Sequence, residues 1–132
     1  MSTLTESESP EHEALVRMMA EYFRSKNYRG LKADLAGWPT PDEISGCIPD
    51  VTGIRPDTNV FVILEAETCD SIIDSHTEEQ WKAFYEYVSH GAREFHVAVP
   101  RQCGSERGRD VANRRARKLG ITFHTVWSPP EA

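Results

Sequence analysis

Three carboxylates interrupt two β-rich runs of this chain: Asp50 in "IPDVTGI", and Glu65 and Glu67 in "NVFVILEAET". Alternation along a strand puts Phe61, Ile63, Glu65 and Glu67 on one face and Val60, Val62, Leu64 and Ala66 on the other. Both glutamates therefore point the same way. Between the runs, "RPDTN" carries a Pro-Asp pair suited to a turn. A hairpin that sets Arg55 opposite Val60 also sets Asp50 directly across from Glu65, at about 5 Å between Cβ atoms. Like charges so placed repel and raise one another's pKa, a cost that packing alone has no reason to carry. A hard cation removes that cost. Mg²⁺ takes one or two carboxylates together with waters and substrate phosphates, and it lowers the pKa of bound water while neutralising phosphate charge.

The elements that must position these acids follow from punctuation and period. Ser9-Pro10 suits a helix start, and Leu15, Met18, Met19, Tyr22 and Phe23 recur at helical spacing to about Asn27. "RGLKADLAG" alternates as a short strand, and "WPTPDEISG" is a loop by its prolines and glycine. Strands are expected over 48–54 and 60–68. Thr77 and Gln80 stand at capping-box spacing ahead of a second helix with Trp81, Phe84, Tyr85 and Val88 on its apolar face, ending near Gly91. "EFHVAVP" is a strand, "GSERGRDVANRRARKLG" a third helix closed by Gly120, and "ITFHTVW" a last strand. Residues 1–8 are expected to be a disordered tail, 9–128 one domain and 129–132 a second tail.

Pro49-Asp50, followed by Glu65-x-Glu67 at the end of an apolar strand within an α-β-β-β-α-β order, resembles the PD-(D/E)xK nuclease superfamily. That superfamily includes restriction endonucleases and Holliday-junction resolvases. The resemblance covers roughly residues 9–100 and implies an α/β fold: a restriction endonuclease-like αβββαβ core, its mixed central sheet flanked by helices, here with a C-terminal αβ extension. It also implies phosphodiester hydrolysis on nucleic acid, DNA first, with Mg²⁺ or Mn²⁺ held by Asp50 and Glu65. The family's lysine, which orients or activates water, is replaced by Glu67. Some active restriction enzymes carry an acid there, and Glu67 is then a third ligand or the base, with Lys82 on the next helix as a substitute positive charge. Family members also bring an acid from the first helix. Glu11, four residues before Leu15, lies nearest the inward stripe, whereas Glu13 and Glu21 fall more than about 100° away. Gln80 matches a glutamine of resolvase-like members. Two rivals stand beside this reading: a catalytically degenerate nucleic-acid-binding or assembly module, and a generic α/β small-molecule or signalling domain, which a mostly parallel sheet without the Asp50 hairpin would indicate.

The chain has 132 residues and a net charge of −6, which argues against a nonspecific nucleic-acid coat. The stretch from Arg101 to Lys118 reverses the balance, with seven Lys or Arg against two acids. Arg109, Arg114, Arg115 and Arg117 are the candidate phosphate contacts on this strip, whose bland reading is a solvated helix face. No apolar run approaches the roughly 18 residues of a membrane span, and the acidic start resembles no leader, so the cytoplasm is the expected location. A homodimer is the assembly to test. Cys47, Cys69 and Cys103 are odd in number and widely spaced, which speaks for buried thiols against a disulfide framework or thiolate zinc site. None of the five histidines stands at zinc-ligand spacing. No phosphate-binding glycine loop occurs.

Overall fold

The computed structural model describes residues 9–130; the tail expected over 1–8, and the last two residues of the tail expected over 129–132, lie outside the described residues. Helix α1 (Pro10–Ser25) leads into strands β1 (Arg29–Ala33), β2 (Val51–Ile54) and β3 (Phe61–Ala66), then a 3₁₀ turn (Ser71–Ile73) and helix α2 (Ser75–Val88). Strand β4 (Arg93–Ala98), a small hairpin of β5 (Gln102–Cys103) and β6 (Glu106–Arg107), helix α3 (Gly108–Leu119) and β7 (Thr125–Trp127) complete the chain. The main sheet has five strands in the order β1-β2-β3-β4-β7. Its first two pairings are antiparallel and its last two parallel. The fold is thus α/β with a mixed sheet flanked by helices, and the Asp50 hairpin is present.

The alternation read along β3 separates two cores. Val62, Leu64 and Ala66 pack with Val16, Met19 and Phe23 of α1 on one face. Ile63 packs on the other with Trp81 and Phe84 of α2, Phe95 and Val97 of β4, and Ala112 and Ala116 of α3. Trp81, Phe84 and Phe95 are fully buried, each removing apolar surface worth about 1.5–3 kcal/mol. Trp81 and Phe123 meet edge to face at 4.8 Å and 87°, the geometry that ring quadrupoles favour.

Helix ends explain three departures from the expected elements. Helix α2 begins before Thr77 because Asp74 caps it, accepting from the His76 amide at 2.8 Å. Thr77 and Gln80 therefore do not form its capping box. The stretch 102–107 folds back around Gly104 (φ +63) as a hairpin, so α3 starts at Gly108. A Cβ at Gly108 would stand 1.9 Å from the Pro100 carbonyl oxygen, which fixes glycine where α3 crosses the end of β4. As expected, α3 closes on Gly120 in the left-handed conformation.

The reading of the cysteines is corrected. Cys69 and Cys103 form a disulfide with Cα atoms 5.6 Å apart, and Cys47 is a free, half-buried thiol. Parallel pairing of β3 and β4 releases the connections after both strands at the same sheet edge, which brings together cysteines 34 residues apart. Among the described residues no helix is long and apolar enough to cross a membrane.

Candidate functional site

The carboxylates gather at the carboxyl ends of the parallel strands, the edge where open α/β sheets bind ligands. The β2–β3 register runs from Ile54–Phe61 to Val51–Leu64, with the Arg55 amide on the Val60 carbonyl oxygen at 2.9 Å. One more step puts Asp50 across from Glu65. The two residues brace each other's strands: the Asp50 amide donates to Glu65 Oε2 at 3.0 Å, and the Ala66 amide donates to Asp50 Oδ2 at 2.8 Å. Asp50 Oδ1 and Glu65 Oε1 accept no hydrogen bond among the described residues.

All three acids are buried: Asp50 is 5% exposed, Glu65 3% and Glu67 2%. Burial pushes the Glu65 carboxyl well above its ordinary range, and the Asp50 and Glu67 charges push it further. Burial likewise raises Glu67 to about 8, against the hydrogen bond from Ser71. Glu67 turns toward the helices: Oε1 accepts from Ser71 Oγ at 2.5 Å and Thr77 Oγ1 at 3.4 Å, and Oε2 from Trp81 Nε1 at 3.0 Å. The oxygen set fits a hard cation, which Asp50 and Glu65 could hold through their remaining oxygens. Glu67 is already committed to donors from the 3₁₀ turn and α2.

Two residues join the site unannounced. His12 of α1 is 3% exposed and places Nε2 3.1 Å from Asp50 Oδ2. Its signal in the sequence is its place on the inward stripe, one helical turn ahead of Leu15 and Val16. Asp34, next after β1, donates its amide to the Asp50 carbonyl oxygen at 2.9 Å. Continuing the Ala33–Val51 pairing, Asp34 faces Asp50 from the opposite side to Glu65, so the three form one row across three strands. Partial burial and then the Asp50 charge raise the Asp34 carboxyl.

Other expected residues lie elsewhere. Glu11 is exposed; His12 is the residue that α1 delivers to Asp50. Lys82 is exposed and pairs with Glu78 at 3.0 Å, about 120° around α2 from the middle of the Thr77–Trp81 stripe that meets Glu67. Half-buried Gln80 flanks that stripe. Of the basic strip, Arg114 grips Glu106 through two bonds of 2.6 and 2.9 Å. Arg115 donates to Glu78 at 3.2 Å and so ties α3 to α2. Arg109 reaches Ser128 at 3.3 Å, and Arg117 is exposed.

A second constellation sits toward the other end of β4, on the α1 side of the sheet. Glu94, His96 and His124 place their ligand atoms within 4.8 Å of one another, the one such set of three among the described residues. Asp50, Glu65 and Glu67 thus do not close as three ligands. The indole Nε1 of Trp127 can only donate, so His96 Nδ1 accepts at 3.0 Å and Nε2 carries the hydrogen that meets Glu94 Oε1 at 2.9 Å. Arg55 donates to the same Glu94 oxygen at 2.5 Å. Burial lowers His96 to about 4, which matches a neutral ring. In this arrangement the cluster is a satisfied hydrogen-bond network, with its charge balanced by Arg55 and its His96 donor nitrogen occupied by a proton.

Comparison of the chain with protein-family models, with curated proteins and with solved structures returns no match.

Proposed function

We propose that this protein is a metal-dependent phosphodiesterase acting on nucleic acid, DNA first, with the restriction endonuclease-like core of the PD-(D/E)xK nucleases. The Asp50–Glu65 pair carries the reading. Two buried carboxylates stand in register, each anchored by one oxygen to the partner strand's backbone and each keeping its second oxygen clear of hydrogen bonds among the described residues. The α-β-β-β-α-β order and the mixed sheet support it. Asp50 and Glu65 would hold Mg²⁺ or Mn²⁺, which would supply a water of lowered pKa and positive charge against the phosphate oxygens. The chain's own part is to fix Asp50 and Glu65 in register at the sheet edge, while Glu67 locks that edge to the 3₁₀ turn through Ser71 and to α2 through Thr77 and Trp81.

One observation favours a second reading, a catalytically degenerate nucleic-acid-binding or assembly module. Glu67 stands in the lysine position with its oxygens committed to donors, and Lys82 points away. A cleavage assay on linear, supercoiled and branched DNA with Mg²⁺ or Mn²⁺ separates the two. Wild type is expected to cut, and Glu65→Gln to lose cutting with DNA binding unchanged or stronger as anionic repulsion falls. Binding without cutting of any substrate selects the degenerate module. Cutting that survives Glu65→Gln contradicts the proposed site.

A further inference from the structure

Among the described residues, His12 is the side chain of α1 that hydrogen-bonds to the acid row. It sits in the first turn of that helix, where its amide donates to the capping Ser9 Oγ at 3.0 Å. The cap sets the turn, and the turn aims the imidazole at the end of the sheet, where Nε2 lies 3.1 Å from Asp50 Oδ2. With Asp50 ionised its oxygens only accept, so Nε2 carries the hydrogen and has no lone pair for a cation. Asp50 Oδ2 then takes two donors, His12 Nε2–H and the Ala66 amide at 2.8 Å, which fill both of its acceptor directions. The carboxylate can no longer rotate without losing both bonds. Oδ1 is left as the oxygen presented to a ligand.

We infer that His12 is a positioning residue of this site: it fixes the rotation of the Asp50 carboxylate so that Oδ1, and not Oδ2, is offered to a divalent cation. The assignment rests on the proposed cation site at Asp50 and Glu65. It places His12 behind the ligand, as the partner that orients a ligating carboxylate, and loss of such a partner typically costs about 10–100-fold in metal affinity. The residue also couples helix α1 to the site, because Ser9, His12 and Asp50 form one connected path from the helix cap to the sheet edge.

Mn²⁺ titration calorimetry on the full chain tests this, with wild type, His12→Ala and His12→Gln, each checked for folding by its melting curve. Glutamine can bring an amide N–H to the place of Nε2–H. His12→Ala is expected to weaken Mn²⁺ binding by about 10–100-fold, and His12→Gln to recover most of it. Pulsed electron paramagnetic resonance on wild type loaded with Mn²⁺ is expected to show no directly bound nitrogen. Equal affinity in wild type and His12→Ala overturns the assignment, as does a folded His12→Gln that binds no better than His12→Ala. A directly bound nitrogen also overturns it, by making His12 a ligand. Wild type that binds no Mn²⁺ at all overturns the cation site itself and this assignment with it, an outcome distinct from the other three.

Discussion

Trp81 Nε1 donates to Glu67 Oε2 over 3.0 Å, and both side chains are buried. The indole fills the core under β3 and β4 while its one polar atom answers a carboxylate that has lost its water. Trp81→Phe keeps the ring in the core and removes the donor. Chemical denaturation is expected to show a loss of about 1–3 kcal/mol, the usual range for leaving a buried acceptor short of a partner. An unchanged stability would mean that Glu67 finds another donor or water in solution.

The same burial gives stability a pH dependence with a definite sign. The Glu67 carboxyl titrates near 8 in the folded chain and at an ordinary 4.5 when unfolded. Between those values the folded state holds a proton that the unfolded state has released, so stability falls as pH rises through this window. Glu67→Gln removes the titration. Its amide can accept from Trp81 with the oxygen and donate to the Ser71 and Thr77 hydroxyls with the nitrogen. The wild-type-minus-variant difference in stability, followed by urea unfolding from pH 4 to 9, is expected to decline across the window and level off outside it.

How much of this was legible in the sequence depends on range. The Asp50–Glu65 register was readable because side-chain period and turn length are local, and both are realised in the β2–β3 pairing. Ser71 and Trp81 as donors to Glu67 were not, since each needs the 3₁₀ turn and α2 to fold back over the end of β3. The Thr77–Gln80 spacing pointed to a capping box, yet Asp74 caps the helix and Thr77 is spent on Glu67. His12 stands on the inward stripe of α1 and meets Asp50, whereas its neighbour Glu11, the acid expected there, falls on the exposed side of the helix. Counting cysteines could not reveal the Cys69–Cys103 bond, which exists only because β3 and β4 run parallel.

That disulfide staples the connection after Glu67 to the hairpin ahead of α3. Closing a loop with a sequence separation of 34 restricts the unfolded chain by about 3–4 kcal/mol in the chain-entropy account. Cys69→Ser/Cys103→Ser is expected to lower the unfolding free energy by an amount of that order, with little further change when a dithiol reductant is added. Loss of the same stability from wild type under reductant would confirm that the bond forms; no loss would show that the thiols stay apart.

On the proposed reading, the basic strip divides into arginines that meet phosphate and arginines that hold the protein together. Arg109 and Arg117 lie exposed, whereas Arg115 is largely covered and bound to Glu78. Replacing Arg109 or Arg117 by Ala is expected to reduce the slope of log affinity against log salt by about 0.9 for each phosphate no longer neutralised. Arg115→Ala is expected to lower the melting temperature and leave the slope in place. DNA binding absent at low salt would make the strip a solvated helix face.

If Asp50 and Glu65 together hold a divalent cation, adding Mg²⁺ raises the melting temperature of the folded chain. Binding to the folded state alone stabilises by RT ln(1 + [L]/Kd), about 2.7 kcal/mol at one hundred times Kd. Wild type and Lys82→Ala should show the same rise in melting temperature, because Lys82 pairs with Glu78 on the outer side of α2. Asp50→Asn and Glu65→Gln should each lose most of that rise. A rise of equal size in wild type and in both carboxylate variants would show that the cation is held elsewhere and not by Asp50 and Glu65.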